Sequence, residues 1–297
     1  MIWLAVVLAL ASAVTVGMST SVQHRAAGQA PDDVSGGVGL LAHLAQRPIW
    51  WLGQLLGFVA LLFHALALGF GPIALVQPIA IMGMVFAPPI RAAMSRRWLP
   101  RHEALAVLLT FAGLVAFLLA TAPRESEVTT GAGTLGLIGV LAAGSAVLVV
   151  LAGRVADTGV RAFLLGCGAG LLFGSVAVSL KIAMHELSVG GLGGFLTSPA
   201  TYALMGLGIA GITINQLSYR CARLSASMPA LNIVNVLVAL VFGYLVFDEV
   251  PRHTPGALAV ELLAATAIGW GLLQLARFED EVAGEEAAGQ AAPAGSP

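Results

Sequence analysis

The sequence predicts an all-helical integral membrane protein with nine transmembrane helices, arranged as two inverted repeats of four helices around one linking helix. Three observations lead to this prediction. Hydrophobic residues make up 58% of the chain and charged residues 10%, whereas a soluble domain carries about 25% charged residues. Nine apolar runs are long enough to cross a bilayer. Three prolines of the first half recur 151 residues later, as the pairs Pro48/Pro199, Pro78/Pro229 and Pro100/Pro251.

The predicted spans approach the length of about 20 residues that a helix needs to cross the hydrocarbon core. In chain order they are 2–22, 49–68, 70–93, 104–121, 134–152, 160–182, 199–218, 225–247 and 256–276. The first run contains Ala11-Ser12-Ala13, which resembles a signal-peptide cleavage site. Because no basic residue precedes it and the run is long, we expect a retained helix.

The duplication is supported by local matches near the last proline pair. The tripeptide PRH occurs at 100–102 and again at 251–253, and the tetrapeptide ALAV follows each copy, at 104–107 and 257–260. Internal repeats of this kind are typical of transporters. The predicted units are a first repeat at 1–122, a loop and linking helix at 123–153, a second repeat at 154–277 and a disordered cytoplasmic tail at 278–297.

The distribution of basic residues predicts the orientation in the membrane. With the N-terminus outside, three basic residues fall in outer segments, namely Arg124, Lys181 and Arg252. Eleven fall in cytoplasmic segments, namely Arg25, Arg47, Arg91, Arg96, Arg97, Arg101, Arg154, Arg161, Arg220, Arg223 and Arg277. We therefore expect the N-terminus outside and the C-terminus inside. A single linking helix then turns the second repeat upside down relative to the first.

Glycines mark two further features. The segments 34–47 and 187–198 are glycine-rich connections, which we interpret as loops, with re-entrant elements as the alternative. Gly166, Gly170 and Gly174 follow a four-residue spacing that presents a smooth face to a neighbouring helix. We expect this face to pack inside the protein, and a homodimer contact is the alternative.

Polar residues inside the spans are candidates for a solute site, because each is costly in lipid without a partner or a function. His64 and Asn215 are related by the 151-residue shift, and Gln216 follows the second. They are predicted to meet across the pseudo-symmetry axis, either as a binding or coupling site or as a hydrogen-bonded tie between helices. Histidine is the intramembrane group whose proton exchanges near neutral pH.

The eighth predicted span has a polar face formed by Ser225, Asn232 and Asn235, with Pro229 among them. Its mate carries Gln77 beside Pro78. A central proline frees a backbone carbonyl, which beside an amide can coordinate a solute or a cation. We interpret these residues as the lining of a cavity, and an amide ladder that joins helices is the alternative.

Four charged residues near the spans have simpler explanations. Glu261 lies in the ninth span and is either a snorkelling side chain or a proton or cation ligand. Lys181 is the only lysine and is predicted to anchor the outer end of the sixth span. Asp248 and Glu249 are predicted to form a solvated helix end.

The composition excludes several classes of function. A formal net charge of −1 gives no basic face for nucleic acid. No nucleophile elbow, zinc-protease motif or phosphate-binding loop is present, so neither an enzyme nor a bound cofactor is expected. Arginine-rich, alanine-rich and glycine-rich usage is typical of a GC-rich bacterial genome, and the expected location is the plasma membrane.

Several segments together resemble one family. They are PIWWLG at 48–53, ALGFGPIALVQP at 67–78, TINQLSY at 213–219, the opening of the sixth span at 173–181 and FDE at 247–249. The chain resembles the NIPA-type magnesium transporters and the related EamA-like permeases of the drug/metabolite transporter superfamily. The nine-helix layout is closer to the NIPA branch than to the ten-helix EamA pattern.

The resemblance implies a secondary transporter, but one position argues against magnesium. Where the family leads us to expect a glutamate in the second span, this chain has Leu61, and His64 stands at the expected asparagine position. Magnesium prefers oxygen ligands, among them carboxylates. We therefore expect a small polar metabolite or solute, moved by alternating access and with proton coupling through His64 or Glu261. Magnesium transport and a non-transporting subunit of an envelope-assembly complex are the alternatives.

Overall fold

The structure is a computed structural model that describes residues 2–27, 45–94, 96, 98–121, 132–221, 224–249 and 255–291. In these ranges the regular structure is entirely helical, as predicted. The helices are α1 (Ile2–Ala27), α2 (Pro48–Phe70), α3 (Ile73–Ala80), α4 (Met82–Met94), α5 (Arg101–Thr121), α6 (Ala132–Arg154), α7 (Thr158–Thr197), α8 (Pro199–Cys221), α9 (Leu224–Leu245) and α10 (Pro255–Ala291).

Eight of the described helical segments are long and apolar enough to cross a membrane. The third predicted span is one of them, although it is broken at Ile81 into α3 and α4, just after Pro78 near the end of α3. Helix α8 has 23 residues but is not among the eight, and the amides of Asn215 and Gln216 lower the hydropathy of its second half. The chain is thus a multi-pass membrane protein with eight spans supported by composition.

The helix bounds repeat with the same shift as the prolines. Helix α2 begins at Pro48 and ends at Phe70, and 151 residues later α8 begins at Pro199 and ends at Cys221. Helices α3 and α9 begin at Ile73 and Leu224, which are also 151 residues apart. Packing repeats as well, because α1 packs against α2 and α4 as α7 packs against α8 and α9. The two halves therefore share one arrangement of helices.

Equivalent helices of the two halves meet in antiparallel pairs. In the pair of α5 and α10, Gly113 lies against Ala264 and Ala267, and Gly271 lies against Thr110 and Ala106. Rising numbers on one helix thus meet falling numbers on the other. Helices α3 and α4 run antiparallel to α9 in the same way, since Ala74 lies near Gly243 and Met84 contacts Asn232.

The glycine face of α7 packs inside the protein, as predicted. A methyl group at Gly166 would lie 2.5 Å from the carbonyl oxygen of Ser227 in α9, and one at Gly170 would lie 2.6 Å from that of Leu231. One at Gly174 would lie 2.5 Å from Cβ of Val238. Absence of side chains at these three positions allows the two backbones to approach closely.

Two segments differ from the prediction. The glycine-rich segment 187–198 is helical up to Thr197 and interrupted only at Gly191, whose φ of 59° and ψ of −156° suit glycine. Its predicted counterpart, 34–47, lies outside the described residues up to position 44. Helix α10 continues to Ala291, although the tail from 278 was expected to be disordered, because alanine and glutamate in this stretch favour helix.

Candidate functional site

A break between α2 and α3 exposes backbone groups in the interior of the molecule. Gly71 and Pro72 are both extended, and Pro72 precedes the first turn of α3 without a capping side chain of its own. The first N–H groups of a helix have no partner within the helix, and together they attract negative charge. This break therefore needs an acceptor from elsewhere in the chain.

Glu249 supplies that acceptor. Its Oε1 accepts a hydrogen bond from the Ile73 N–H at 2.9 Å, and its Oε2 accepts one from the Ala74 N–H at 2.9 Å. The residue is 1% exposed. The carboxylate of the second half thus caps a helix of the first half, from a position more than 170 residues away in the chain.

Lys181 in α7 completes the cluster. Its Nζ donates to Glu249 Oε1 at 2.7 Å and to the Gly71 carbonyl oxygen at 2.9 Å, and it lies 5.0 Å from the centre of the Phe247 ring. The ammonium group is therefore paired with a carboxylate, bonded to a carbonyl and placed over an aromatic face. We call Lys181, Glu249 and the first turn of α3 the α3 cap.

The end of α9 turns Glu249 inward. The N–H of Phe247 donates to the Phe242 carbonyl, and the N–H of Glu249 donates to the Gly243 carbonyl at 2.8 Å. Between them Asp248 has a φ of 50°, the left-handed conformation that aspartate tolerates better than most residues. Phe247 is fully buried, so the chain reverses around an apolar anchor and directs the next side chain into the protein.

These contacts correct two predictions. Glu249 is not part of a solvated helix end, although Asp248 beside it is exposed. Lys181 is not a snorkelling anchor, since its side chain is 7% exposed and paired. The sequence indicated a single lysine and a lone acidic pair, but their separation of 68 residues follows no helical or repeat period. The signal that could have identified Glu249 is the residue suited to a positive φ directly before it.

His64 and Asn215 lie half-buried on α2 and α8. Helix α2 packs chiefly on α1 and α8 chiefly on α7, and both helices contact α7 rather than forming a closely packed pair with each other. Gln216 is exposed on α8. The predicted meeting of His64 with Asn215 across an axis is therefore not a direct packing of their two helices.

The residues predicted on the other pair of helices come closer together. Gln77 is 2% exposed in α3, and α3 packs against α9. Asn232 in α9 donates from Nδ2 to the Met228 carbonyl at 3.0 Å and approaches Met84 Sδ at 3.7 Å. The interface between α3, α4 and α9 therefore joins the two halves and contains two of the predicted amides.

Two candidate residues have a buried oxygen with no hydrogen-bond partner within the described part of the chain. They are Asn235 in α9, through Oδ1, and Glu261 in α10, through Oε1. Unpaired polar atoms in an apolar interior are costly, which makes them candidates for solute or proton contacts. Among the described residues no three His, Cys, Asp or Glu side chains form a group that could hold a metal ion.

Comparison with known proteins gives two matches. The family model of the magnesium transporter NIPA matches residues 2–138. An uncharacterized protein of Corynebacterium glutamicum is 34% identical over 251 residues, which cover 83% of this chain and 85% of that protein. No solved structure matches. The multi-pass helical fold, the broken third span and these matches identify the chain as a membrane transporter that belongs to the NIPA magnesium transporter family, within the drug/metabolite transporter superfamily.

Proposed function

We propose that the protein is a secondary transporter of the plasma membrane that moves a small polar solute by alternating access between two inverted halves. The observation that supports this most strongly is the repeat of helix bounds together with the antiparallel packing of equivalent helices. An inverted repeat requires equivalent helices to run in opposite directions. It also requires α8 to cross the membrane as α2 does, which gives nine spans with the N-terminus outside.

The proposed solute site lies between the halves, where α3 and α4 meet α9. Gln77, Asn232 and Asn235 supply amide groups there, and the break at Ile81 interrupts the helix beside them. Asn235 has a free acceptor among the described contacts. Neutral amides bind hydroxyl, amide and carboxylate groups without a fixed charge preference, which favours a polar metabolite. His64, Asn215 and Gln216 are proposed as outer parts of the same path, and His64 and Glu261 as proton-coupling residues.

Magnesium is the second candidate, and the description of the matching family favours it. Magnesium retains several waters and needs few protein oxygens, which the Asn235 amide and carbonyls at the α3–α4 break could provide. Of the carboxylates named for the spans, Glu249 is neutralised by Lys181 and Glu261 lies apart on α10. The donor set thus contains more amides than carboxylates.

The experiment is uptake into proteoliposomes of purified protein, measured for a panel of labelled polar metabolites and for magnesium, with and without a pH gradient. We expect saturable uptake of a polar metabolite that the pH gradient stimulates. Asn235→Ala should reduce uptake at least about tenfold, because a hydrogen bond to a buried amide is lost. His64→Ala should remove the stimulation by the gradient. Saturable uptake of magnesium alone would favour the second candidate, and no uptake of any solute above empty liposomes would contradict the proposal.

A further inference from the structure

We propose that the α3 cap is a gate: the contact of Glu249 with Lys181 and with the first turn of α3 closes the transport path at that end, and it must part when the path opens there. The inference rests on the proposed alternating-access function. It assigns Lys181 and Glu249 as positioning residues that set which side of the site is open, not as residues that touch the solute.

The location of the cap is the first argument. It joins the α2–α3 break of the first half to α7 and α9 of the second half through four polar contacts of 2.7–2.9 Å. Helices α3 and α9 are equivalent in the repeat and pack against each other at the proposed solute site. Any movement that opens this end between the halves has to separate Glu249 from the α3 N-terminus.

The chemistry of the cap is the second argument. A buried ion pair adds little net stability compared with apolar packing of the same volume, because both charges must be dehydrated. When such a pair parts toward water, both charges regain hydration, whereas parted apolar surfaces gain nothing. A contact made of charges is therefore suited to repeated opening, and burial in the closed state keeps it specific.

The equivalent end of the other half is the third argument. The residue 151 positions before Glu249 is Trp98, whose side chain is 97% exposed, and Arg96 near it has a φ of 52°, comparable with that of Asp248. The two helix ends thus turn alike, but only the second directs a buried carboxylate into the protein. The described state is closed at the Glu249 end, which the charge distribution predicts to be the outer side.

The test uses a cysteine reporter that does not depend on any transported solute. Cys167 and Cys221 are replaced by alanine, and Ala177→Cys is introduced one helical turn before Lys181 in α7, where the side chain is 3% exposed. The rate of labelling by a membrane-impermeant maleimide is measured from each side of sealed vesicles, and folding is checked by size-exclusion chromatography in detergent.

In Glu249→Gln the labelling rate from the Glu249 end should rise about tenfold or more, since a hydrogen bond to a charged group contributes at least that factor to the closed state. Lys181→Met combined with Glu249→Gln removes both charges, leaves none unpaired in the interior, and should give the same rise. Asp248→Asn is the matched control, because the neighbouring carboxylate is exposed and takes no part in the cap, and it should label like the parent.

A charge exchange separates a gate built on the α3 N-terminus from a simple ion pair. Lys181→Glu with Glu249→Lys restores opposite charges but places a cation against two N–H donors, so labelling should remain raised. Protection of the reporter in the folded neutral double variant would overturn the gate, and so would full protection in the exchanged variant. A raised labelling rate in a protein that moves no solute would keep the gate and reject the proposed transport function instead.

Discussion

At the scale of single residues, Glu249 has the most consequential position in the molecule. One carboxylate accepts from two backbone N–H groups and from Lys181, so it caps a helix and pairs a charge at once. Gly243 is required beside it, because a methyl group there would lie 2.8 Å from Glu249 Oε2. Removal of either charged partner leaves the other buried without compensation.

We predict that Glu249→Ala lowers the free energy of unfolding by about 3–5 kcal/mol, the cost of breaking a buried ion pair by removing one partner. Lys181→Met should cost a similar amount, and the combined variant should cost clearly less than the sum. Denaturant unfolding in detergent, followed by intrinsic fluorescence, measures this cycle. Additive losses would show that the two side chains do not interact.

The sequence alone predicted part of this residue scale. Gln77, Asn232 and Asn235 were predicted from the cost of polar groups in lipid, and the structure places their helices together. The pairing of Lys181 with Glu249 could not be predicted in this way, because it depends on how two helices of different repeat position approach in space. His64 and Asn215 show the converse, since a shared sequence shift does not place two helices in direct contact.

At the scale of elements, glycine spacing and proline position determine how the helices meet. The smooth face of α7 brings the α9 backbone within van der Waals distance, and the break after Phe70 creates the helix start that Glu249 caps. The apolar runs and prolines predicted these bounds closely, because length and helix-breaking residues are local properties. The helical continuation of α7 through 187–198 was not predicted, since glycine content suggested a loop.

Gly170→Val should separate α7 from α9 and lower the melting temperature by several degrees or abolish folding. The added side chain would start 2.6 Å from the Leu231 carbonyl and 2.8 Å from Cβ of Val234, and overpacking of this kind costs about 1–3 kcal/mol or more. Gly206→Val in α8 is the control, because nothing lies within 4 Å of its added methyl group. Thermal unfolding of both variants in one detergent makes the comparison, and equal melting temperatures would contradict the packing of the glycine face.

At the scale of the whole molecule, the central claim is that two equivalent halves part and close around a site between them. The duplication was predictable from proline spacing alone, and the helix bounds follow it to the residue at the start of α2, α3 and their mates. The location of the closed end was not predictable, because it depends on one carboxylate reaching across both halves. The account therefore requires relative movement of α3 and α9.

The most direct test is a reversible lock between those two helices. Ala74→Cys and Gly243→Cys are introduced in a chain without other cysteines, since the Cβ atoms at these positions would lie 3.5 Å apart, within the range of about 3.5–4.5 Å for a disulfide. Solute uptake by the same proteoliposomes is measured after oxidation and again after reduction, with each single variant as a control. We predict that uptake is abolished by oxidation of the double variant only and returns on reduction. Undiminished uptake by the cross-linked protein would contradict alternating access between the halves.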